Sequence, residues 1–144
     1  MVVQCSIFVF GNSAFSTCAI AQIALPSGLK TIGDNAFAGQ PLTGIKIPAS
    51  VTSIGIGAFS ACESLASVTF EKVSRLESIG QQAFMQTPIT ALEIPATVKI
   101  EGITCKVTAI AKNAFKNNKK LKKLTSKKVG LRGCRGYLGC SSLD

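Results

Sequence analysis

The pair Ala-Phe recurs five times at nearly even spacing, and this restricts the fold more than any other feature of the chain. The pairs are Ala14-Phe15, Ala36-Phe37, Ala58-Phe59, Ala83-Phe84 and Ala114-Phe115, separated by 22, 22, 25 and 31 residues. A fixed period of roughly 20–50 residues marks one supersecondary unit stacked on copies of itself. Such a unit keeps an apolar side exposed until a neighbour covers it, so the chain is expected to build a solenoid. The stretch from Asp34 to Gly55 states the unit most clearly.

Each unit has three pieces. The first is an apolar ladder that often ends in proline: Ile20-Ile23-Leu25-Pro26, Leu42-Ile45-Ile47-Pro48, Leu65-Val68-Phe70, Ile89-Leu92-Ile94-Pro95 and Leu121-Leu124. Its last apolar positions alternate with polar or small ones, as in a strand with one buried face. Proline ends it, having no N–H to give a ladder. The second piece, Leu29-Ile32-Gly33, Val51-Ile54-Gly55, Leu76-Ile79-Gly80 and Val107-Ile110-Ala111, predicts a short strand and a cramped or left-handed turn. The third carries Ala-Phe and predicts a single helical turn, with Asn12 and Asp34 placed as N-caps. Small Ala lets coils approach, and Phe fills the interior.

Two insertions lengthen the unit. Glu71–Arg75 follows the third ladder, and residues 96–107 alternate around Glu101-Gly102 as a β-hairpin does. Regular repeats span 7–125. Residues 126–144 keep the register weakly, with Arg132 at the core Ile position and Gly136 at the Ala position, which predicts a degenerate C-terminal coil. The expected organisation is one domain over residues 1–144.

These motifs resemble the BspA-like leucine-rich repeats. The resemblance rests on the Ile-Gly-x-x-Ala-Phe core, the cysteine three residues after Phe15 and Phe59, and the Ile-Pro strand ending. It implies secreted or surface-attached adhesion proteins, in host-associated bacteria and parasitic protists, with no catalytic site in the repeats. No basic segment follows Met1, and Gln4, Ser6, Gly11 and Asn12 interrupt the first apolar run, so a cleaved signal peptide is not expected. An extracellular location therefore follows from the resemblance alone, and a cytoplasmic one stays open. No apolar run reaches the ~18 residues of a membrane span.

Little chemistry is available for catalysis. The chain has no His, the commonest general base and metal ligand, and only seven carboxylates. Six cysteines include no C-x-x-C spacing, so neither zinc nor another cofactor is expected. Cys18 and Cys62 occupy equivalent positions two coils apart, about 10 Å at the ~4.8 Å strand spacing. That is beyond the ~7 Å Cα separation a disulfide tolerates, so both are expected as free, buried thiols. Cys134 and Cys140 remain open between thiols and a disulfide.

Charge is uneven. Residues 1–98 hold four basic and five acidic side chains, and residues 99–144 hold twelve and two. Two binding surfaces follow. The first is the outward row of the long ladders, one concave sheet with Thr43, Lys46, Thr69, Thr90, Glu93, Lys122 and Lys123, suited to a protein or glycan. The second is a polyanion patch at the turn lysines Lys119, Lys120, Lys127 and Lys128, whose bland counterpart is a solvated end. No aromatic residue interleaves with these lysines, so nucleic acid is not the expected partner. The repeats alone specify only stacking, so a purely structural fragment is the third possibility. A monomer, or end-to-end association through uncapped coils, is expected. The fold expected is a mainly β repeat solenoid, a right-handed, curved leucine-rich-repeat coil of about five turns of about 22 residues, with short helical turns and one inserted β-hairpin.

Overall fold

The structure is a computed structural model and describes residues 8–72, 74–94, 98–100, 103–105, 109–111 and 113–126. In chain order the strands are β1 (Val9–Phe10), β2 (Thr31–Ile32), β3 (Gly44–Ile47), β4 (Ser53–Ile54), β5 (Ser67–Phe70), β6 (Ser78–Ile79), β7 (Ala91–Ile94), β8 (Val98–Ile100), β9 (Ile103–Cys105), β10 (Ala109–Ile110) and β11 (Lys123–Ser126). The short strands form a five-stranded sheet in the order β1-β2-β4-β6-β10. Each contact is parallel and in register one repeat apart, Ile32 on Ile54 and Ile54 on Ile79. The result is a repeat solenoid. The inserted hairpin is present as antiparallel β8 and β9, with Val98 opposite Cys105.

The long ladders do not form one unbroken sheet. They pair as β3-β5 and β7-β11, and β5 lies beside β7 without a hydrogen-bonded ladder. The insertion after β5 explains the break. Glu71 and Arg75 donate their amides back to Ile47 and Ala49 of the preceding coil, so the exit from β5 follows β3. Ile20–Leu25 is not a strand, and there Thr43 donates its amide to the Ala21 carbonyl.

The Ala-Phe piece is a set of turns, and no helix occurs among the described residues. Its backbone alternates between two duties. The amides of Ala36, Ala38 and Gln40 close tight turns onto Gly33, Asn35 and Phe37, while those of Asn35, Phe37 and Gly39 reach Ile56, Ala58 and Ser60 of the next coil. A helix would turn all of these donors along its own axis. Left-handed residues flank the Phe on both sides: Asn35 and Gly39, Gly57 and Ala61, Gln82 and Gln86, Asn113 and Asn117. Asn12 and Asp34 therefore cap no helix. Their side-chain oxygens accept the amides of Asp34 (2.9 Å) and Ile56 (2.7 Å), one coil on.

The phenylalanines form one interior column. Rings of Phe37, Phe59, Phe84 and Phe115 are fully buried and lie within 8° of parallel, with neighbouring centroids 5.3–5.5 Å apart. That spacing lies close to the ~4.8 Å between hydrogen-bonded strands, as expected for rings carried at one position of successive coils. Phe10 closes one end edge-on to Phe15 and Phe37. Gly55 is required by proximity: an added Cβ would lie 2.7 Å from the Asp34 nitrogen and the Gly33 carbonyl carbon.

Phe59→Ala should destabilise the fold by about 3–5 kcal/mol, as a buried aromatic truncation does. Phe15→Ala should cost less, because Phe15 is only partly buried. Gly55→Ala should cost about 1–3 kcal/mol through overpacking. Urea melts with Phe59→Ala at the wild-type midpoint would contradict the column.

Candidate functional site

The proposed binding row projects from the long ladders because their side chains alternate. Ile45 and Ile47 point into the core while Lys46 faces outward, and Val68 and Leu92 are buried between exposed Thr69, Thr90 and Glu93. Thr43 and Lys122 are also exposed. The register sets Lys46 beside Thr69, Lys123 beside Ala91 and Glu93 beside Thr125. Lys122 donates its amide to the Thr90 carbonyl at 2.9 Å. Because the ladders form two pairs, the row is also in two parts: Thr43, Lys46 and Thr69, then Thr90, Glu93, Lys122 and Lys123.

Lys46 carries a partner that the repeat pattern does not show. Its ammonium lies 3.2 Å from the Glu71 carboxylate, with the side chains 70% and 41% exposed. Glu71 also accepts the Ala49 amide at 2.9 Å. The Ala49 bond first, and then Lys46, hold the Glu71 carboxyl below its ordinary value of 4.5. The insertion thus contributes an acid to the face, and its signal is an acidic residue immediately after a strand.

The position three residues after each Phe is a polar ladder beneath the turns. It holds Gln40, Cys62, Thr87 and Asn118, all buried. Gln40 accepts the Ile20 amide at 3.0 Å, the Cys62 thiol donates to the Phe37 carbonyl at 3.0 Å, and Thr87 donates to the Phe84 carbonyl at 2.8 Å. Asn118 donates to the Thr87 hydroxyl and accepts the amides of Lys120 and Leu121. Cys62 is free and buried as expected, and burial pushes its thiol up to about 11. Cys18 is exposed instead. The Cys62 thiol is covered by the coil before it, and among the described residues no coil lies on that side of Cys18.

Beside this ladder, three successive turns enclose an open groove of about 560 Å³, lined by Glu63, Gln86, Thr87, Pro88, Asn117, Lys119 and Lys120. It brings together two of the four turn lysines. Lys127 and Lys128 lie outside the described residues, as do Cys134, Cys140 and the degenerate coil beyond residue 126. Glu63, Gln86 and Asn117 were not legible as site residues, although Gln86 and Asn117 share the second position after a repeat Phe, and Glu63, Pro88 and Lys119 the fourth. Among the described residues no three His, Cys, Asp or Glu side chains are grouped to hold a metal. No helix there is long and apolar enough to cross a membrane.

The comparisons agree with this geometry. The model of the BspA type leucine rich repeat region matches residues 2–122 in six copies, so the chain belongs to that family. It is similar to the pneumococcal vaccine antigen PcpA, at 29% identity and a TM-score of 0.74 over 85% of this chain and 29% of that one. It is similar as well to a leucine rich cell surface protein of Faecalibacterium prausnitzii, at 30% identity and a TM-score of 0.58 over 83% and 36%. A leucine-rich repeat protein of Bacteroides capillosus, 24% identical with a TM-score of 0.53 over 83% and 77%, shares the fold. The chain thus spans about a third of the first two proteins' lengths. A comparison with curated protein sequences finds no match.

Cys18 should react with a thiol reagent at the rate of an exposed cysteine in native protein, and Cys62 only on unfolding; equal native rates would contradict the polar ladder. Because the Glu71 value is depressed, its contribution to stability is fully present above 4.5 and is lost as pH falls through the folded value. An NMR titration should place the Glu71 midpoint below 4.5. Lys46→Met should raise it only part of the way, because the Ala49 amide is the larger cause. A wild-type midpoint at 4.5 would rule out both contacts.

Proposed function

We propose that this chain is a non-enzymatic, adhesin-like interaction module that acts at a cell surface and binds a partner protein or glycan on the outward row of its long ladders. The observation that carries the reading is the alternation itself. Thr43, Lys46, Thr69, Thr90, Glu93 and Lys122 are exposed while their neighbours along the ladders build the core, so these positions are free of packing duty. Threonines keep the face open. Charge is mixed, with Lys46 neutralised by Glu71 and Lys122 near one end, which suits a polar partner of defined shape. Family membership and the surface location of the Faecalibacterium relative support the setting.

The second reading is polyanion binding at the turn lysines. It is favoured by one observation, the gathering of Lys119 and Lys120 at a single groove.

Immobilised extracellular-matrix proteins and a glycan array supply the ligands for the test. Thr43→Arg with Thr69→Arg should weaken the best binder by at least about tenfold, equivalent to ~1.4 kcal/mol, and Lys119→Gln with Lys120→Gln should leave it unchanged. The reverse pattern would replace the ladder face by the lysine turn. Binding that survives both pairs of changes would contradict both readings.

A further inference from the structure

The groove between the turns has features that neither an extended face nor a bare cluster of lysines requires. Its volume, about 560 Å³, lies within the range of roughly 300–1,000 Å³ typical of small-molecule sites. Its rim is built by three successive coils, with Glu63 from one, Gln86 and Pro88 from the next, and Asn117, Lys119 and Lys120 from the third.

The rim is rigid. Gln86 and Asn117 both have left-handed backbones, and the Gln86 amide is bonded to the Lys116 carbonyl. Buried Asn118 holds the amides of Lys120 and Leu121 at 2.9 and 2.8 Å, which fixes the turn bearing both lysines. Beneath, Asn118 donates to the Thr87 hydroxyl and Thr87 to the Phe84 carbonyl, so the floor is satisfied without a ligand. Binding would therefore fall to the exposed groups: two ammonium groups, the amides of Gln86 and Asn117, and one carboxylate.

That set is selective. The ammonium groups attract an anion, and the amides donate to and accept from hydroxyls. Glu63 is a pure acceptor that suits a hydroxyl donor and repels a dense polyanion. Among the described residues of the lining Pro88 alone is apolar, so the groove suits a polar ligand better than an apolar peptide side chain.

We propose that this groove binds an acidic sugar unit, a hexuronic acid residue whose carboxylate meets Lys119 and Lys120 and whose ring hydroxyls meet Glu63, Gln86 and Asn117. The site is independent of the ladder face, because Thr43 and Thr69 are not among the residues that line it.

The probe is trigalacturonic acid at millimolar concentration, compared with its neutral methyl ester and with dextran sulfate. Binding is followed by amide shifts in the intact 144-residue chain. The acid should shift Gln86, Asn117, Lys119 and Lys120, and the ester should bind at least about tenfold more weakly. Lys119→Gln with Lys120→Gln should abolish the shifts, and Glu63→Gln should weaken them. Thr43→Arg with Thr69→Arg should leave them intact, even if that pair abolishes binding to the ladder face. These changes lie in exposed side chains and spare the Asn118 bonds. The proposal fails if the acid does not bind or the ester binds equally well. It also fails if the shifts map to the ladder face, or if Glu63→Gln strengthens binding while dextran sulfate competes as well as the acid; that last result would mean charge attraction alone.

Discussion

Every coil depends on hydrogen bonds to the next. At each Phe turn alternate amides leave their own coil and bond the neighbour, as Phe37 does to Ala58, Phe59 to Ala83 and Phe84 to Ala114, each at 2.8 Å. Buried backbone donors must find acceptors, and a turn this tight cannot supply them all itself. Stacking is therefore required to satisfy the backbone as well as to bury the apolar side. Several other features follow from the close approach. Gly33, Gly55 and Gly80 cannot take a Cβ without meeting the previous coil's backbone. The Phe rings are held parallel near the strand spacing, and the polar side chains three residues beyond them close the remaining bonds.

This division of labour leaves particular positions open to function. Core Ile, Leu and Phe and the glycines Gly33, Gly55 and Gly80 are committed to stacking. The outward ladder residues and the tips of the turns are not, and insertions enter where a ladder ends. The Glu71–Arg75 insertion shows the consequence: it bonds back to the preceding coil, interrupts the long sheet between β5 and β7, and supplies the carboxylate that engages Lys46. An insertion in such an array alters the surface on both sides while the core continues beneath it.

Much of this was legible in the chain. Even spacing of Ala-Phe indicated a stacked array, alternation around Ile45, Ile47, Val68 and Leu92 indicated which ladder residues face outward, and alternation around Glu101-Gly102 indicated the hairpin strands. Asn12 and Asp34 stand where caps stand, so the sequence alone points to helical turns. A cap and an inter-coil acceptor use the same side-chain chemistry, and only the partner, one coil away, separates them. The same reason hid the Lys46–Glu71 pair, which joins residues 25 apart in sequence. Cys18 shares the position of Cys62 yet is exposed, because burial there depends on what covers the coil, which a single position does not record. The groove was illegible for a related reason: its lining comes from three coils, and no one stretch contains it.

The central claim is that inter-coil amide bonds at the Phe turns hold the array together. Native-state hydrogen exchange of individual amides tests it most directly. The amides of Phe37, Phe59 and Phe84 should be protected to the level of global unfolding and should exchange together. Phe59→Ala should lower the protection of all three. If these three amides exchange at the rate of exposed turn amides while β4 and β6 stay protected, the strands alone hold the coils and the account is wrong.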